Sequence, residues 1–317
     1  MSRHDWFTRE ERAQFWDDDI SLFEAAHARL EAEREQLPDK PEETTLATVR
    51  ALWHLASGVH VSARRATREP LRSLDPPQRS TFGSLVARRL EGVPLPHLTG
   101  RQCFMNLEMI AGPGALIPRA ETELLARAAI DLTSRLSPDA PLLVLDVCTG
   151  AGNVALAIAH ASPDACVGAA DLSPDAVALA RENVAHLGMA GRVVVQQGDL
   201  LAPFDTRQHV GRADLITCNP PYISTRRVSA MPKETAKHEP TLAFDGGPLG
   251  LRVLQRFIRE APRYLKPGGW MVFEVGLGQG EPMLKRMEST GAFESVESVR
   301  DAAGDVRVIM ARQGAAA

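Results

Sequence analysis

The stretch LLVLDVCTGAGN, residues 142–153, decides the fold. Its first half is a short apolar run, which predicts a buried strand at residues 142–147. Gly150 and Gly152 then bracket a tight turn, and Asn153 begins a predicted helix. Such a turn lets a ligand lie against the backbone N–H groups at the start of the helix. A simple turn has the same pattern, so the motif alone does not establish a binding site.

The same alternation of strand and helix continues toward the C-terminus. Short β-rich runs that end in Gly, Asp or Asn are separated by amphipathic segments, which predicts an α/β fold with a mostly parallel sheet and right-handed crossovers. The predicted strands are 142–147, 166–171, 192–197, 213–218, 269–275, 293–298 and 305–311, and the predicted helices between them include 153–161, 175–187 and 250–264.

The N-terminal part of the chain has a different character. From about residue 8 to residue 91 apolar residues recur at helical spacing, as in Leu46, Val49, Leu52 and Trp53 or Phe82, Leu85, Val86 and Leu90, and no strand alternation is present. The segment CFMNLEMIAGPGALIPRAETELL then predicts a hairpin that turns at Gly112-Pro113-Gly114, followed by a helix from about Ala120. We therefore expect a helical domain at 1–100, a hairpin linker at 101–119 and an α/β domain at 120–317.

Bulk composition limits the class of protein. The 317 residues, 44% of them hydrophobic, suffice for one large domain or for a medium and a small one. A formal net charge of -4 provides no positive field for a nucleic acid backbone. The four cysteines form no CxxC pair and have no histidine at metal-ligand spacing, which indicates a reduced, cytoplasmic chain without a metal. The charged N-terminus and the absence of a long apolar run predict neither a signal peptide nor a membrane span.

Acidic residues follow the second and third predicted strands. Asp171 lies about 20 residues past the glycines, where a nucleotide-binding fold places an acid that accepts hydrogen bonds from ribose. An aspartate near a helix N-terminus has the same appearance. Asp199, after Gly198, can accept the amine of an adenine, although a turn aspartate would look alike. Together these strand ends predict a nucleoside-binding cleft.

The fourth strand ends in ITCNPPYIS, residues 216–224, and this segment argues against NAD. A planar amide or amine nitrogen is a poor nucleophile unless its two protons are held in a chosen geometry. The Asn219 side-chain oxygen and the Pro220 carbonyl can accept those protons, and the two prolines restrict the backbone that carries them. Tyr222 offers a flat face to a planar group. The alternative interpretation is a rigid strand-to-loop turn.

The motifs DVCTGAGN, AADLSPDA, QGDLL and NPPY, in this order, resemble those of class I S-adenosylmethionine-dependent methyltransferases that act on planar nitrogen. The flanking segments GVPLPHLTGRQCFMNLEM, ALIPRAETELL, HEPTLAFDGGPLGL, LKPGGWMVFEVGLGQG and RDAAGDVRVIMAR resemble the protein-glutamine methyltransferase family from about residue 44 to residue 312. Members of this family modify the glutamine of the Gly-Gly-Gln motif in peptide-chain release factors, and related members modify a ribosomal protein.

This resemblance implies a Rossmann-like sheet with an antiparallel C-terminal strand, a small N-terminal helical domain and S-adenosylmethionine as cofactor. It also implies roles for individual residues. The clamp on the substrate amide would be Asn219, Pro220, Pro221 and Tyr222, with Asn219 also near the cofactor. The cofactor would contact Cys148, Thr149, Gly150, Ala151 and Gly152 at the methionine part, Asp171 and Leu172 at the ribose, and Asp199 and Leu200 at the adenine, under an arch of Pro118, Arg119, Thr122 and Glu123.

The methyl acceptor stays open at this point. A release factor is favoured, and the alternatives are another glutamine-bearing protein, a ribosomal protein, or a small-molecule amine or natural product. An adenine methyltransferase for nucleic acid would also use an NPPY-like segment, but no basic groove-reading segment accompanies it. A non-catalytic cofactor-binding scaffold would not need the clamp. The first 40 residues extend beyond the family's compact helical domain, and we expect their aromatic residues Trp6, Phe7, Phe15 and Trp16 to pack on that domain.

Overall fold

The computed structural model describes residues 6–34, 37–136, 141–228 and 233–314. The chain divides into two compact units. The helical unit comprises Met1–Pro113 and Lys233–His238, and the α/β unit comprises Gly114–Pro232 and Glu239–Ala317. The hairpin that we predicted as a linker groups with the helical unit. The role of residues 1–100 in substrate recognition stays a prediction.

Helices occur in both units. In the described ranges they are α1 (Arg9–Gln14), α2 (Asp17–Glu33), α3 (Thr45–Ala56), α4 (Ala63–Ala66), α5 (Pro76–Leu90), α6 (Leu95–Thr99), α7 (Thr122–Arg135), α8 (Asn153–Ala161), α9 (Pro174–His186), α10 (Thr225–Val228), α11 (Lys233–His238), α12 (Arg252–Glu260) and α13 (Gly280–Thr290). Within these ranges, none of the helices has both the length and the hydropathy that crossing a bilayer requires.

The helical unit has an aromatic core centred on Trp53. Its buried ring stacks on Phe15 at 5.5 Å and meets Phe82 edge-on at 5.0 Å between centroids. Such pairs add to the stabilisation that area burial provides. The apolar residues that recur at helical spacing in α3 and α5 are buried in this core, except Leu46 and Leu90, which are partly buried.

Three of the four aromatic residues near the N-terminus join this core, as expected. Phe7 is buried, and Trp6 and Phe15 pack against the same cluster. The expectation is wrong for Trp16, which is 69% exposed. Trp16 occupies the N-cap position of α2. Phe15 already fills the space beside Trp53, so the next side chain along the chain points away from the core.

The predicted hairpin exists, but its turn lies elsewhere. Strands β1 (Arg101–Phe104) and β2 (Leu107–Ile110) pair antiparallel, and Met105 and Asn106 connect them. Both turn residues have positive φ, 49° and 66°. A two-residue turn of this type matches the twist of the flanking strands, and asparagine tolerates the left-handed region. The glycine cluster at 112–114, where we predicted the turn, follows the hairpin.

The α/β unit contains one mixed sheet. In the part of the chain that the structure describes, seven strands form it: β3 (Leu143–Val147), β4 (Cys166–Asp171), β5 (Val193–Gln197), β6 (Ala213–Cys218), β7 (Leu265–Glu274), β8 (Ser295–Arg300) and β9 (Val306–Arg312). Their order is β5-β4-β3-β6-β7-β9-β8. β9 pairs antiparallel with both β7 and β8, and the other strand pairs of this sheet are parallel. The predicted fold class and antiparallel C-terminal strand are confirmed.

The strand order creates a crevice at one edge of this sheet. From β3 the chain proceeds to β4 and β5 on one side and later returns to β6 on the other side. At such a switch point the connections leave in opposite directions, so a space opens beyond the carboxyl ends of β3 and β6. Both strands are almost wholly buried, which makes their ends a rigid base for a site.

Candidate active site

A cavity of about 500 Å³ lies at this crevice, entirely within the α/β unit. This volume is within the range of small-molecule sites. Most of the predicted site residues line it: Pro118, Thr122, Cys148, Thr149, Gly150, Asp171, Leu172, Asp199, Leu200, Asn219 and Pro221. Six of the predicted residues are not part of its lining: Arg119, Glu123, Ala151, Gly152, Pro220 and Tyr222.

The glycine-rich turn between β3 and α8 forms one wall. Cys148, Gly150 and Gly152 all have positive φ, so the chain turns sharply into the first turn of α8. A side chain at Gly152 would also meet Leu156 at 3.1 Å. Glycine thus serves both the left-handed backbone and the close packing. The result is a backbone cradle at a helix N-terminus, as the sequence predicted.

Asp171, at the end of β4, is tied into this cradle. Its carboxylate accepts the N–H of Gly150 and the N–H of Ser173, each at 2.9 Å. Burial raises the pKa of Asp171, and these backbone donors partly oppose that rise. Each carboxylate oxygen can accept a further hydrogen bond. Asp171 therefore positions the turn and still has capacity for a ribose hydroxyl.

Asp146, at the end of β3, lies deeper in the same wall. It is 1% exposed, and its two oxygens accept hydrogen bonds from the Thr149 and Thr217 hydroxyls, both at 2.6 Å. Burial raises the pKa of Asp146 to about 6. From the sequence, this residue fell inside the predicted strand 142–147 and was not assigned to the site. Its position directly before the glycine-rich turn was the available signal.

Asp199 also lines the cavity and forms an ion pair with Arg256. Both of its carboxylate oxygens accept from Arg256 Nη1, at 3.2 and 2.9 Å. The Asp199 hydrogen bond raises the pKa of Arg256. Both side chains are partly exposed, so this pair contributes little to stability. The ion pair orients the carboxylate at the rim, where the sequence predicted an adenine.

Asn219 follows β6 at the switch point. Its Nδ2 donates one hydrogen bond to the Thr122 hydroxyl at 3.2 Å, and its side-chain oxygen remains able to accept. The backbone that follows is also held, because Gln279 Nε2 donates to the Tyr222 carbonyl at 3.0 Å. The Tyr222 side chain faces Glu274, whose charge is the main cause that raises the tyrosine pKa.

Two glycines that sequence reasoning missed make close contact with this segment. A Cβ at Gly246 would lie 2.4 Å from the Pro221 carbonyl oxygen, and one at Gly250 would lie 2.2 Å from that of Tyr222. Any side chain would therefore displace the NPPY backbone. Both glycines lie in the segment HEPTLAFDGGPLGL, which contributed to the family resemblance but was not assigned to the site.

The arch above the cavity depends on a buried ion pair. Arg119 donates to Glu239 at 2.7 Å, and the other Glu239 oxygen accepts the Ile117 N–H at 3.0 Å. This pair ties the chain near Pro118 to the chain near Pro240, and both prolines line the cavity. Arg119 thus acts behind the wall. Glu123, which we expected in the arch, pairs instead with Arg127 on the surface of α7.

These residues suit S-adenosylmethionine. Asp146 and Asp171 have no salt-bridge partner among the described residues, so the cavity presents one buried and one partly buried carboxyl group beside a backbone cradle. Such a set can accept hydroxyl groups and offset a positive charge. A methyltransferase small domain model matches residues 125–238. The fold and the site therefore define a class I S-adenosylmethionine-dependent methyltransferase.

Comparison with known proteins narrows this class. A release factor glutamine methyltransferase of Moorella thermoacetica is 38% identical over 238 residues, which cover 75% of this chain and 81% of the relative. Another, from Caulobacter vibrioides, is 31% identical over 280 residues, or 88% and 93%. The chain belongs to the release factor glutamine methyltransferase family. A solved structure, the catalytic domain of hMettl16 in complex with MAT2A 3'UTR hairpin 6, is 13% identical and has a TM-score of 0.50. The match covers 75% of this chain and 82% of that chain. At this identity the similarity supports the fold alone.

Proposed function

We propose that this protein transfers a methyl group from S-adenosylmethionine to the side-chain amide nitrogen of glutamine in a peptide-chain release factor, at a Gly-Gly-Gln motif. The observation that carries the proposal is the Asn219 amide, held through its Nδ2 beside the cavity with its oxygen left to accept. The release factor as acceptor is inferred from the curated relatives. The reaction would take place in the cytoplasm, where release factors act.

The chain would hold its cofactor between the glycine-rich turn and the strand-end acids. Gly150 provides the close backbone approach, Asp171 accepts from the ribose, and Asp199 borders the base. When bound there, S-adenosylmethionine supplies an electrophilic methyl group on a sulfonium. The buried carboxyl of Asp146 lies next to this wall and favours a positive charge nearby.

Asn219 and Pro220 would prepare the acceptor. The Asn219 oxygen and the Pro220 carbonyl each accept one N–H of the glutamine amide, so the nitrogen lone pair is directed along the line of transfer. One such hydrogen bond contributes about 0.5 to 1.5 kcal/mol net, whereas alignment can contribute roughly 7 to 11 kcal/mol. The leaving group is a neutral thioether and the product can release its proton to water. The clamp therefore needs no general base.

The test is methylation of the release factor from the same organism with labelled S-adenosylmethionine, followed by peptide mass spectrometry. We expect label on the glutamine and none on a release factor in which that glutamine is alanine. Asn219→Ala should lower kcat by at least roughly 100-fold, the range seen when one preorganised hydrogen-bonding group is removed. Cofactor affinity should stay within a few fold, and Asn219→Asp should retain partial activity because it keeps an acceptor oxygen. Near wild-type methylation by Asn219→Ala would show that NPPY is only a rigid turn.

A further inference from the structure

Glu274 is a buried acid at the end of β7 that the proposed mechanism does not use. It is 0% exposed, and neither carboxylate oxygen makes a hydrogen bond of good geometry with any residue in the described ranges. Burying a carboxyl group without full compensation is costly. Where a fold retains such a group, an assignment to function is the first hypothesis to consider.

The sheet register brings Glu274 to the clamp. Strands β6 and β7 are parallel neighbours with Cys218 opposite Phe273. Asn219 and Glu274 come next on the two chains, so they leave the sheet side by side at its carboxyl edge. The sequence separates them by more than fifty positions, which hides this relation.

The Thr122 and Tyr222 hydroxyl groups lie near the Glu274 carboxyl group, without forming a hydrogen bond of good geometry to it. Burial raises the pKa of Glu274, while both hydroxyls and the Arg307 guanidinium oppose the rise and Glu121 adds to it. The Thr122 oxygen already accepts a hydrogen bond from Asn219 Nδ2. Its own proton must point elsewhere, and Glu274 is the acceptor beside it.

The direction of this hydroxyl matters for the clamp. An asparagine amide can turn over, and its two ends then exchange roles. If Thr122 donated to Asn219, the amide oxygen would be consumed and Nδ2 would face the acceptor nitrogen, donor against donor. A carboxylate that accepts a hydrogen bond from the Thr122 hydroxyl removes that alternative.

We propose that Glu274 is the positioning residue of the amide clamp: when the acceptor amide binds, the unpartnered Glu274 carboxylate accepts a hydrogen bond from the Thr122 hydroxyl, so that Thr122 accepts from Asn219 Nδ2 and the Asn219 oxygen faces the substrate nitrogen. The Tyr222 hydroxyl lies near the same carboxyl group and can donate to its other oxygen. This role rests on the proposed function of Asn219 and extends it to a relay of three side chains from β7, α7 and the end of β6.

The test compares removal of each relay member with its conservative replacement. Glu274→Met and Thr122→Val remove the acceptor and the hydroxyl, and each should lower kcat by roughly 10- to 100-fold, the range for losing a hydrogen bond to a charged group. The KM for the release factor should stay within about threefold in both variants, and so should the cofactor Kd of Glu274→Met, since Glu274 is not part of the cavity lining. Glu274→Gln and Thr122→Ser should retain most of the activity. Because both residues act through one relay, the Glu274→Met/Thr122→Val double variant should be no slower than the slower single variant.

Matched controls are Thr133→Val, a buried threonine on the same helix α7, and Glu297→Met, an exposed glutamate on β8. Neither should change kcat. Replacing a buried, unpaired carboxyl by an apolar side chain of similar size is tolerated in many folds, so Glu274→Met should remain folded, and Thr122→Val tests the relay independently. Near wild-type kcat in both variants, or losses that multiply in the double variant, would overturn the positioning role. If Asn219→Ala is inactive in the same assay, that result leaves the proposed function intact; an active Asn219→Ala would instead refute the clamp itself.

Discussion

In the helical unit, acids withdrawn from solvent lie beside a cation, whereas in the described part of the α/β unit the two carboxyl groups beside the glycine-rich turn form no ion pair. Arg50 donates to Glu11 at 2.7 Å, and Glu234 pairs with Arg89 and Lys40. Burial alone would raise the pKa of Glu11, but Arg50 and two backbone N–H groups hold it below the usual range.

Three carboxyl groups of the α/β unit behave in the opposite way, although Glu239 in the same unit is paired with Arg119. The pKa values of Asp146, Asp171 and Glu274 are all raised, in each case first by burial. A paired buried charge serves the fold, because removing its partner leaves an uncompensated ion. An unpaired carboxyl at a cavity lowers stability and remains free to meet a ligand. The difference separates the parts of the molecule that hold the structure from those that do chemistry.

The largest change in stability is expected when a buried ion pair of the helical unit is broken. Arg50→Met leaves Glu11 buried without its cation, and also leaves the carbonyls of Trp6, Ala66 and Glu69 without this donor. We expect the free energy of unfolding, from urea titration, to fall by about 3 to 5 kcal/mol. Arg65→Met, which breaks an exposed pair with Glu69, should cost less than about 1 kcal/mol. Equal losses in the two variants would contradict this interpretation.

A smaller effect of opposite sign is expected at Asp146. Its pKa rises from 3.8 to about 6 in the folded protein, so the folded state binds the proton more tightly than the unfolded state. Its contribution to stability is therefore present below about pH 4 and is lost as the pH rises through about 6. Asp146→Asn cannot ionise, so its stability relative to wild type should increase by about 1 to 3 kcal/mol between pH 4 and pH 7.

Urea unfolding of the cofactor-free protein at several pH values measures this difference. Asp164→Asn, at an exposed aspartate, is the control and should show no pH-dependent gap. A constant difference between Asp146→Asn and wild type across this pH range would show that Asp146 is ionised without penalty in the fold.

The smallest expected effect concerns the cofactor. Asp171→Ala should weaken binding of S-adenosylmethionine about 10- to 100-fold, because hydrogen bonds from the ribose to a charged acceptor are lost. Calorimetry measures the affinity directly, with Asp164→Ala as the control. Unchanged affinity would remove Asp171 from the ribose site and leave it as the residue that positions Gly150.

The sequence by itself determined the strands of the sheet, the glycine-rich turn and the NPPY segment. These features depend on local patterns: apolar runs, positive-φ glycines and proline-restricted backbone, each contained within a few neighbouring residues. The hairpin turn was misplaced for a related reason. Glycine and proline at 112–114 gave the stronger local signal, while the pairing of β1 with β2 selected Met105 and Asn106.

Only the tertiary structure decided which polar groups meet. The ion pair between Arg119 and Glu239 joins residues 120 positions apart in the sequence. The position of Glu274 beside Asn219 follows from the register of β6 and β7. No local periodicity encodes such contacts, because they depend on strand order and on how loops return to the sheet edge. For the same reason the sequence could name Asp146 and Asp171 as strand-end acids, but it could not tell that burial without a cation distinguishes them from the paired glutamates of the helical unit.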